Sequence, residues 1–283
     1  MKESNITKCV ALGCLATTFL FVGCNNSKQN DTSKVEYIKI KEDHHLQKDL
    51  KSPTCKMTFD YGYLTENSNN DSVAVTINRI VAEKLLGAQY ANLNPQTAVD
   101  SFRNNYITTY NNEVGELYMQ DMKNNPSERG LPAWYNYEYS LTSTFSDGKE
   151  GVLNVKALKF EYTGGAHPNE WGTWLNFNAN DGQLLTPDKV FVKGSDKAIA
   201  KLLIDALVKN MALKYSGEKV ETIEDLQNLG ILSGNEMYVS DNFILGKNDV
   251  SFLYNKYDIA PYSTGMIILN LPYSEIEKYM IIK

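Results

Sequence analysis

Three histidines and four cysteines are the residues best suited to catalysis or metal binding in this 283-residue sequence. His167 lies in the stretch EYTGGAHPNEW at residues 161–171, whereas His44 and His45 are adjacent in a charged segment that is typical of a linker or of an edge segment. A catalytic histidine needs an orienting carboxylate, with a nucleophile or a water molecule within reach. The sequence contains no G-x-S-x-G, H-E-x-x-H or reactive-cysteine signature, so we predict no catalytic residue from motifs.

Metal and cofactor sites are equally unsupported. Adjacent histidines rarely face one ion together, so His44, His45 and His167 do not predict a metal site. Gly164 and Gly165 follow a predicted strand, but His-Pro-Asn and another strand come next, where a phosphate site would need a helix N-terminus. We therefore predict neither a metal nor a cofactor.

The stretch is better interpreted as a tight connection between two strands. One of the two glycines would adopt a positive φ, and Pro168 would fix the bend that follows. The imidazole of the histidine would hydrogen-bond to the backbone or pack beside Trp171 and Trp174. The rival interpretation is an enzyme acting on peptidoglycan or polysaccharide, with His167 and a nearby carboxylate as acid and base.

The N-terminus carries a signal for export. Two lysines, Lys2 and Lys8, precede the apolar run VALGCLATTFLFVG, which is short for a membrane span and ends directly before Cys24. It resembles a bacterial lipoprotein signal, except that phenylalanine stands at position 21, where leucine is usual. The resemblance implies that residues 1–23 are removed and that Cys24 is diacylated, which would anchor the protein to the membrane of the cell envelope.

Two other possibilities stay open for this segment. Cleavage could instead occur before Cys14, which follows Gly13, or the segment could remain as an uncleaved anchor. After Cys24 the sequence is polar without apolar periodicity, so we predict a flexible tether over residues 24–50. Removal of the signal and lipidation would leave Cys55 without an intrachain partner, so no disulfide or thiolate zinc site is expected.

Charge limits the class of partner. The whole chain has a formal net charge of -6, and the first 23 residues carry two lysines and one glutamate, so the chain from Cys24 onward stands at -7. This charge excludes nucleic acid as an expected partner and would attract a basic protein.

The hydrophobic patterns predict an α+β fold with two subdomains of mostly antiparallel sheet packed with helices. Alternation predicts strands at 56–64, 133–145, 151–162 and 171–179, and later at NFIL, DVSFLYN and MIILNL. Spacings of three and four predict helices after residues 71, 94 and 196, and shorter helices near 222–229 and 274–280. The subdomains are predicted at 51–155 and 156–283.

A second unusual stretch is YDIAPYSTG at residues 257–265, in which Tyr257 and Tyr262 flank the rigid Pro261. Aromatic residues in a loop that contains proline are suited to contact with another molecule, although a tyrosine could equally close one end of the core. The abundance of tyrosine and tryptophan also suggests binding of a glycan. Alternating strands use the same residues, so this signal is weak by itself.

YTGGAHPNEW, NFNANDGQLLTPDKVF and FLYNKYDIAPYSTG, taken in this order, resemble the RsiV-like family, the extracellular domain of lysozyme-sensing anti-sigma factors and of uncharacterised envelope lipoproteins. The resemblance spans about residues 155–275. Residues 55–150 resemble, more weakly, an accessory domain of a peptidoglycan deacetylase. The resemblance implies a two-part α+β fold and, in sensing members, direct binding of lysozyme.

These observations lead to one hypothesis for function. We expect a lipid-anchored, non-enzymatic envelope protein that recognises lysozyme, or another protein or glycan related to the cell wall, through two motif loops. The expected ligand-binding residues are Ala166, His167, Pro168, Tyr257, Pro261 and Tyr262.

Overall fold

The structure is a computed structural model that describes residues 34–65, 71–124, 133–234 and 236–282. Residues from Thr32 to Lys283 form one compact unit. The predicted signal at residues 1–23 and the predicted lipidation at Cys24 lie outside the described residues. No described helix is both long and apolar enough to cross a bilayer.

A five-stranded sheet forms the first layer, and its strands lie in the order in which they follow one another along the chain. Only the second and third strands are parallel, because two helices lie between them and carry the chain back across the sheet. The strands are β1 (Val35–His45), β2 (Thr54–Leu64), β3 (Tyr137–Asp147), β4 (Val152–Tyr162) and β5 (Asn169–Asn178).

A smaller antiparallel sheet follows in the C-terminal third, with the order β6, β7, β8. Its strands are β6 (Phe243–Leu245), β7 (Asp249–Tyr254) and β8 (Ile267–Pro272). The helices are α1 (Asp71–Leu85), α2 (Pro95–Asn124), α3 (Pro187–Val190), α4 (Asp196–Lys214), α5 (Ile223–Asn228) and α6 (Tyr273–Ile276). The predicted α+β class is confirmed, with two mostly antiparallel sheets.

The first core lies between the larger sheet and the two long helices that precede β3. Met57, Phe59 and Tyr61 alternate along β2 and are fully buried against α1 and α2, as the period of two predicts. Cys55 continues the same row and is free and buried, and this burial, with the nearby carboxylate of Glu42, raises the pKa of its thiol to about 12. A thiol held in this neutral form is a poor nucleophile, so Cys55 is a core residue.

The second core lies between the smaller sheet and α4. Ile199, Leu203, Leu207 and Met211 recur every four residues and have almost no exposed surface. They pack in one cluster with the buried residues of β6, β7 and β8. Burying each such side chain stabilises the fold by about 1.5–3 kcal/mol, so this stripe fixes the helix on the sheet. The amphipathic helix predicted here is confirmed.

The tether predicted at residues 24–50 is wrong from Val35 onward, because this segment forms the edge strand β1. It pairs with β2 along its whole length, from Val35 opposite Leu64 to His45 opposite Thr54. The charged stretch around His44 and His45 was interpreted as a linker or an edge segment, and the second interpretation is confirmed. An edge strand exposes these charges to solvent, where they prevent pairing with other chains.

The boundary predicted between residues 155 and 156 is also wrong, because it falls inside β4. The first core extends to Phe177 in β5, and the second begins mainly at Val190. The division between the two cores therefore lies after β5, although Val152 on β4 packs in the second core and Trp174 on β5 packs against Ile244 and Leu253.

Buried asparagines join the two sheets. Asn176 on β5 donates from Nδ2 to the carbonyl oxygen of Phe243 at 2.9 Å, and its Oδ1 accepts the amide of Leu245 at 2.7 Å. Asn154 on β4 donates to the carbonyl oxygen of Leu245 at 3.0 Å. These bonds connect the edge of the smaller sheet to one face of the larger one.

Candidate functional site

The turn after β4 depends on one glycine. Gly164 has a φ of +83°, and a Cβ atom at this position would lie 2.2 Å from the carbonyl oxygen of Trp134. Gly165 has neither a positive φ nor a neighbour within 4 Å of such an atom. The prediction that one of the two glycines takes a positive φ is confirmed, and the close approach to Trp134 explains why it is Gly164.

The second motif loop starts where β7 ends, and Asn255 attaches it to β5. The Oδ1 atom of Asn255 accepts the amide of Gly172 at 2.8 Å, and its Nδ2 atom donates to the carbonyl oxygen of Gly172 at 3.1 Å. Asn242 donates to the same oxygen at 2.8 Å. The base of the loop is therefore fixed to the strand that follows the Gly164 turn.

Tyr257 projects from this loop in a strained conformation. Its φ is +73°, which is unfavourable for a residue with a side chain, and its amide donates to the carbonyl oxygen of Ala260 at 3.1 Å. The side chain remains 61% exposed. Backbone strain at an exposed aromatic residue is typical of functional loops.

The two motif loops converge. The hydroxyl of Tyr262 donates to the carbonyl oxygen of Pro168 at 2.8 Å, and its ring stacks on His167 with centroids 3.9 Å apart. The Tyr257 hydroxyl lies 3.4 Å from Nε2 of His167. Pro261 and Ala166 are exposed beside these rings. The six residues predicted for ligand binding thus share one surface, which we call the loop surface.

Beneath the loop surface lies an ion pair that the sequence did not predict. Lys256 bonds to the carboxylate of Glu170, and its Nζ atom lies 4.3 Å from the centroid of the Tyr262 ring. Burial alone would lower the pKa of Lys256, but the hydrogen bonds to Glu170 and Tyr262 outweigh this effect and raise it. The lysine therefore stays charged and supports the tyrosine by a cation–π contact.

His167 is not placed for acid–base catalysis. Its Nδ1 atom lies 3.3 Å from the carbonyl oxygen of Pro168, and among the described residues neither ring nitrogen reaches a carboxylate. Of the two contacts expected for this imidazole, the hydrogen bond to the backbone is present at Pro168, whereas Tyr262, and neither Trp171 nor Trp174, occupies the face of the ring. The geometry gives no support to the hydrolase alternative.

The other two histidines are remote from this site. His44 and His45 lie on β1, at the opposite edge of the larger sheet from β5. His44 Nε2 lies 2.8 Å from Oδ1 of Asn111 on α2, so it contributes to the packing of strand on helix. Within the described ranges no group of three or more histidine, cysteine or acidic residues could hold a metal ion.

Comparison with known proteins gives a family for the C-terminal third. Residues 188–274 match a family described as "Protein of unknown function (DUF3298)". The match contains the loop with Tyr257 and Tyr262 and begins after the turn with His167. No curated protein matches the sequence.

Two crystal structures resemble the whole fold. A member of the DUF3298 family from Bacteroides fragilis is 27% identical, with a TM-score of 0.78 over 88% of this chain and 93% of that one. A DUF3298 family protein from Pseudomonas aeruginosa is 16% identical, with a TM-score of 0.56 over 89% of this chain and 96% of that one. The second likeness concerns the fold alone.

Proposed function

We propose that this chain is a lipid-anchored protein of the bacterial cell envelope that binds a protein ligand through its loop surface, without catalysing a reaction. The observation that carries the proposal is the convergence of the two loops, in which exposed Tyr257 stands beside the stacked pair of His167 and Tyr262. Aromatic side chains held in this way are typical centres of protein interfaces.

The loop surface is held in place before any ligand arrives. Asn255 fixes one loop to β5, the Tyr262 hydroxyl fixes it to the other loop, and Lys256 with Glu170 supports the rings from below. Ordering side chains on binding costs about 0.5–1.5 kcal/mol each, and side chains that are already ordered avoid most of this cost. The bonds within the surface therefore reduce the free-energy cost of ordering these side chains on binding, in addition to stabilising the fold.

Charge and sequence resemblance both favour a basic ligand. The net charge of -7 from Cys24 onward would accelerate encounter with a positively charged protein. The motifs that form the loop surface are those that resemble the lysozyme-sensing family, and lysozyme is a basic protein of the kind that this charge attracts. We therefore name lysozyme as the ligand to test first.

Calorimetric titration of residues 32–283 with lysozyme tests this proposal, since these residues form one compact unit. We expect measurable heat, and we expect Tyr257→Ala to weaken binding about tenfold or more because it removes an aromatic ring that is 61% exposed on the surface. Tyr37→Ala is the matched control, because Tyr37 is 44% exposed on β1, at the far edge of the sheet. Absence of heat at tens of micromolar would contradict the proposal.

The lipid anchor is tested separately. We expect Cys24→Ser to abolish incorporation of labelled palmitate and to release the protein from the membrane fraction, because the thiol that would carry the diacylglyceryl group is lost. Cys14→Ser is the matched control and should retain both the label and the membrane association. If Cys14→Ser loses the label while Cys24→Ser keeps it, the site of attachment is the earlier cysteine.

A further inference from the structure

A cleft of about 280 Å³ opens on the face of the larger sheet that α1 and α2 cover elsewhere. Its walls come from the end of α1 and from three neighbouring strands. The residues around it are Lys84, Leu85, Leu141, Ala157, Lys159, Trp171 and Thr173. We call it the sheet cleft, and none of its residues belongs to the loop surface.

Strand register explains the arrangement of the cleft. Leu141, Lys159 and Trp171 lie directly opposite one another on β3, β4 and β5, so their side chains form one row on the same face. Ala157 and Thr173 form part of the next row. These two side chains are short and α1 ends at Leu85, so the floor remains open beside the tryptophan.

The chemistry of the cleft combines a flat aromatic ring with cations. Trp171 is 47% exposed, and Nζ of Lys159 lies 5.9 Å from the centroid of its ring. Lys84 forms no ion pair with any residue that the structure describes. Lys159 lies 3.6 Å from the carboxylate of Glu161, too far for a strong hydrogen bond, so both ammonium groups can donate to a ligand.

A second cleft of about 260 Å³ continues from the first and shares Lys84 and Thr173 with it. At its far side lie the hydroxyl of Thr186 and the carboxylate of Asp241. Neither side chain is hydrogen-bonded to another described residue. The combined groove therefore has an aromatic and cationic end, followed by an end with free groups that can bond to hydroxyls.

We propose that this groove binds a linear polysaccharide in which an acidic sugar alternates with a neutral one. One sugar ring would lie on Trp171 with its carboxylate between Lys84 and Lys159, and the next sugar would place hydroxyls against Thr186 and Asp241. The groove has a cationic end and an acidic end, and this arrangement favours the proposed ligand over two others. A nucleic acid would bring phosphates against Asp241, and an acidic peptide lacks the flat sugar ring that stacks on Trp171.

Affinity electrophoresis of residues 32–283 tests the proposal, with hyaluronan in the gel, polygalacturonate as the uniformly acidic comparison and amylose as the neutral one. We expect hyaluronan to retard the protein more strongly than polygalacturonate does, and amylose to leave it unretarded. Trp171→Ala should weaken retardation about tenfold or more, and Lys84→Gln should weaken it and reduce its dependence on salt.

Matched controls separate the groove from general effects. Trp134→Ala removes the other strongly exposed tryptophan, at 56% exposure, and Lys247→Gln removes an exposed lysine outside the groove. Both should bind as the unchanged protein does. Absence of retardation by hyaluronan, equal retardation by amylose or polygalacturonate, or equally tight binding of polyglutamate would overturn the proposal.

The groove and the loop surface give independent results. We expect Trp171→Ala to bind lysozyme as the unchanged protein does, and Tyr257→Ala to retain binding of the acidic polymer. Absence of lysozyme binding would therefore not contradict the proposed polysaccharide groove, and absence of polymer binding would not contradict the proposed binding of lysozyme at the loop surface.

Discussion

Asn176→Ala is expected to lower the free energy of unfolding by about 3–5 kcal/mol, because the substitution leaves a buried carbonyl and a buried amide of β6 without partners. The side chain of Asn176 is 1% exposed and forms both bonds itself, to Phe243 at 2.9 Å and to Leu245 at 2.7 Å. Each lost partner costs about 1–3 kcal/mol, and the space left by the amide adds to this.

Urea denaturation followed by circular dichroism measures this effect. Asn270→Ala is the matched control, because Asn270 is exposed on β8 and its side chain bonds to no described residue. A surface substitution of this kind should change stability by less than about 0.5 kcal/mol. Equal losses in the two variants would show that the asparagine bonds between the sheets contribute little.

Asn176 also shows a limit of sequence-based prediction. In the sequence it is one polar position of an alternating strand, and polar positions normally face solvent. The structure buries it because a second sheet covers that face of β5. The strand itself was predicted from its period, but the identity of the covering layer depends on packing between segments about 70 residues apart.

The same reasoning explains the two corrections in the first half of the chain. β1 carries charges at most of its solvent-facing positions, so its composition resembles that of a tether, and only its pairing with β2 distinguishes the two. The boundary predicted near residue 155 is wrong because β4 pairs with strands on both sides and cannot be divided.

The helices were predicted more completely because their signals are local. Gly87, two residues after the end of α1, has a φ of +122°, as is typical of the glycine that follows a helix. The proline at position 95 begins α2, and Ser195 precedes α4. Helix caps and terminal glycines act on residues only a few positions away, so helix ends can be predicted from a single sequence.

For the loop surface, the sequence indicated the six residues but not what holds them together. His167 and Tyr262 are stacked although 95 positions separate them along the chain. Glu170 and Lys256 lie inside the stretches YTGGAHPNEW and FLYNKYDIAPYSTG, but their roles follow from tertiary contact alone. A charged residue in a loop is too common to indicate an ion pair by itself.

The adjacent glycines of the turn give the sharpest test of this geometry. Gly164→Ala is expected to destabilise the fold by about 2–4 kcal/mol, because the added Cβ atom meets the carbonyl oxygen of Trp134 at 2.2 Å while φ stands at +83°. Gly165→Ala adds the same atom one residue later into open space, and its effect should stay below about 0.5 kcal/mol.

Denaturation and lysozyme titration of the same two variants connect this turn to the proposed function. Relief of the clash in Gly164→Ala requires the turn to move away from Trp134, and this movement carries His167 away from the ring of Tyr262. We therefore expect the folded fraction of this variant to bind lysozyme more weakly, whereas Gly165→Ala should bind normally. Normal binding by a destabilised Gly164→Ala would mean that the turn supports the fold but not the binding surface, and the contact would then depend on Tyr257 and its own loop.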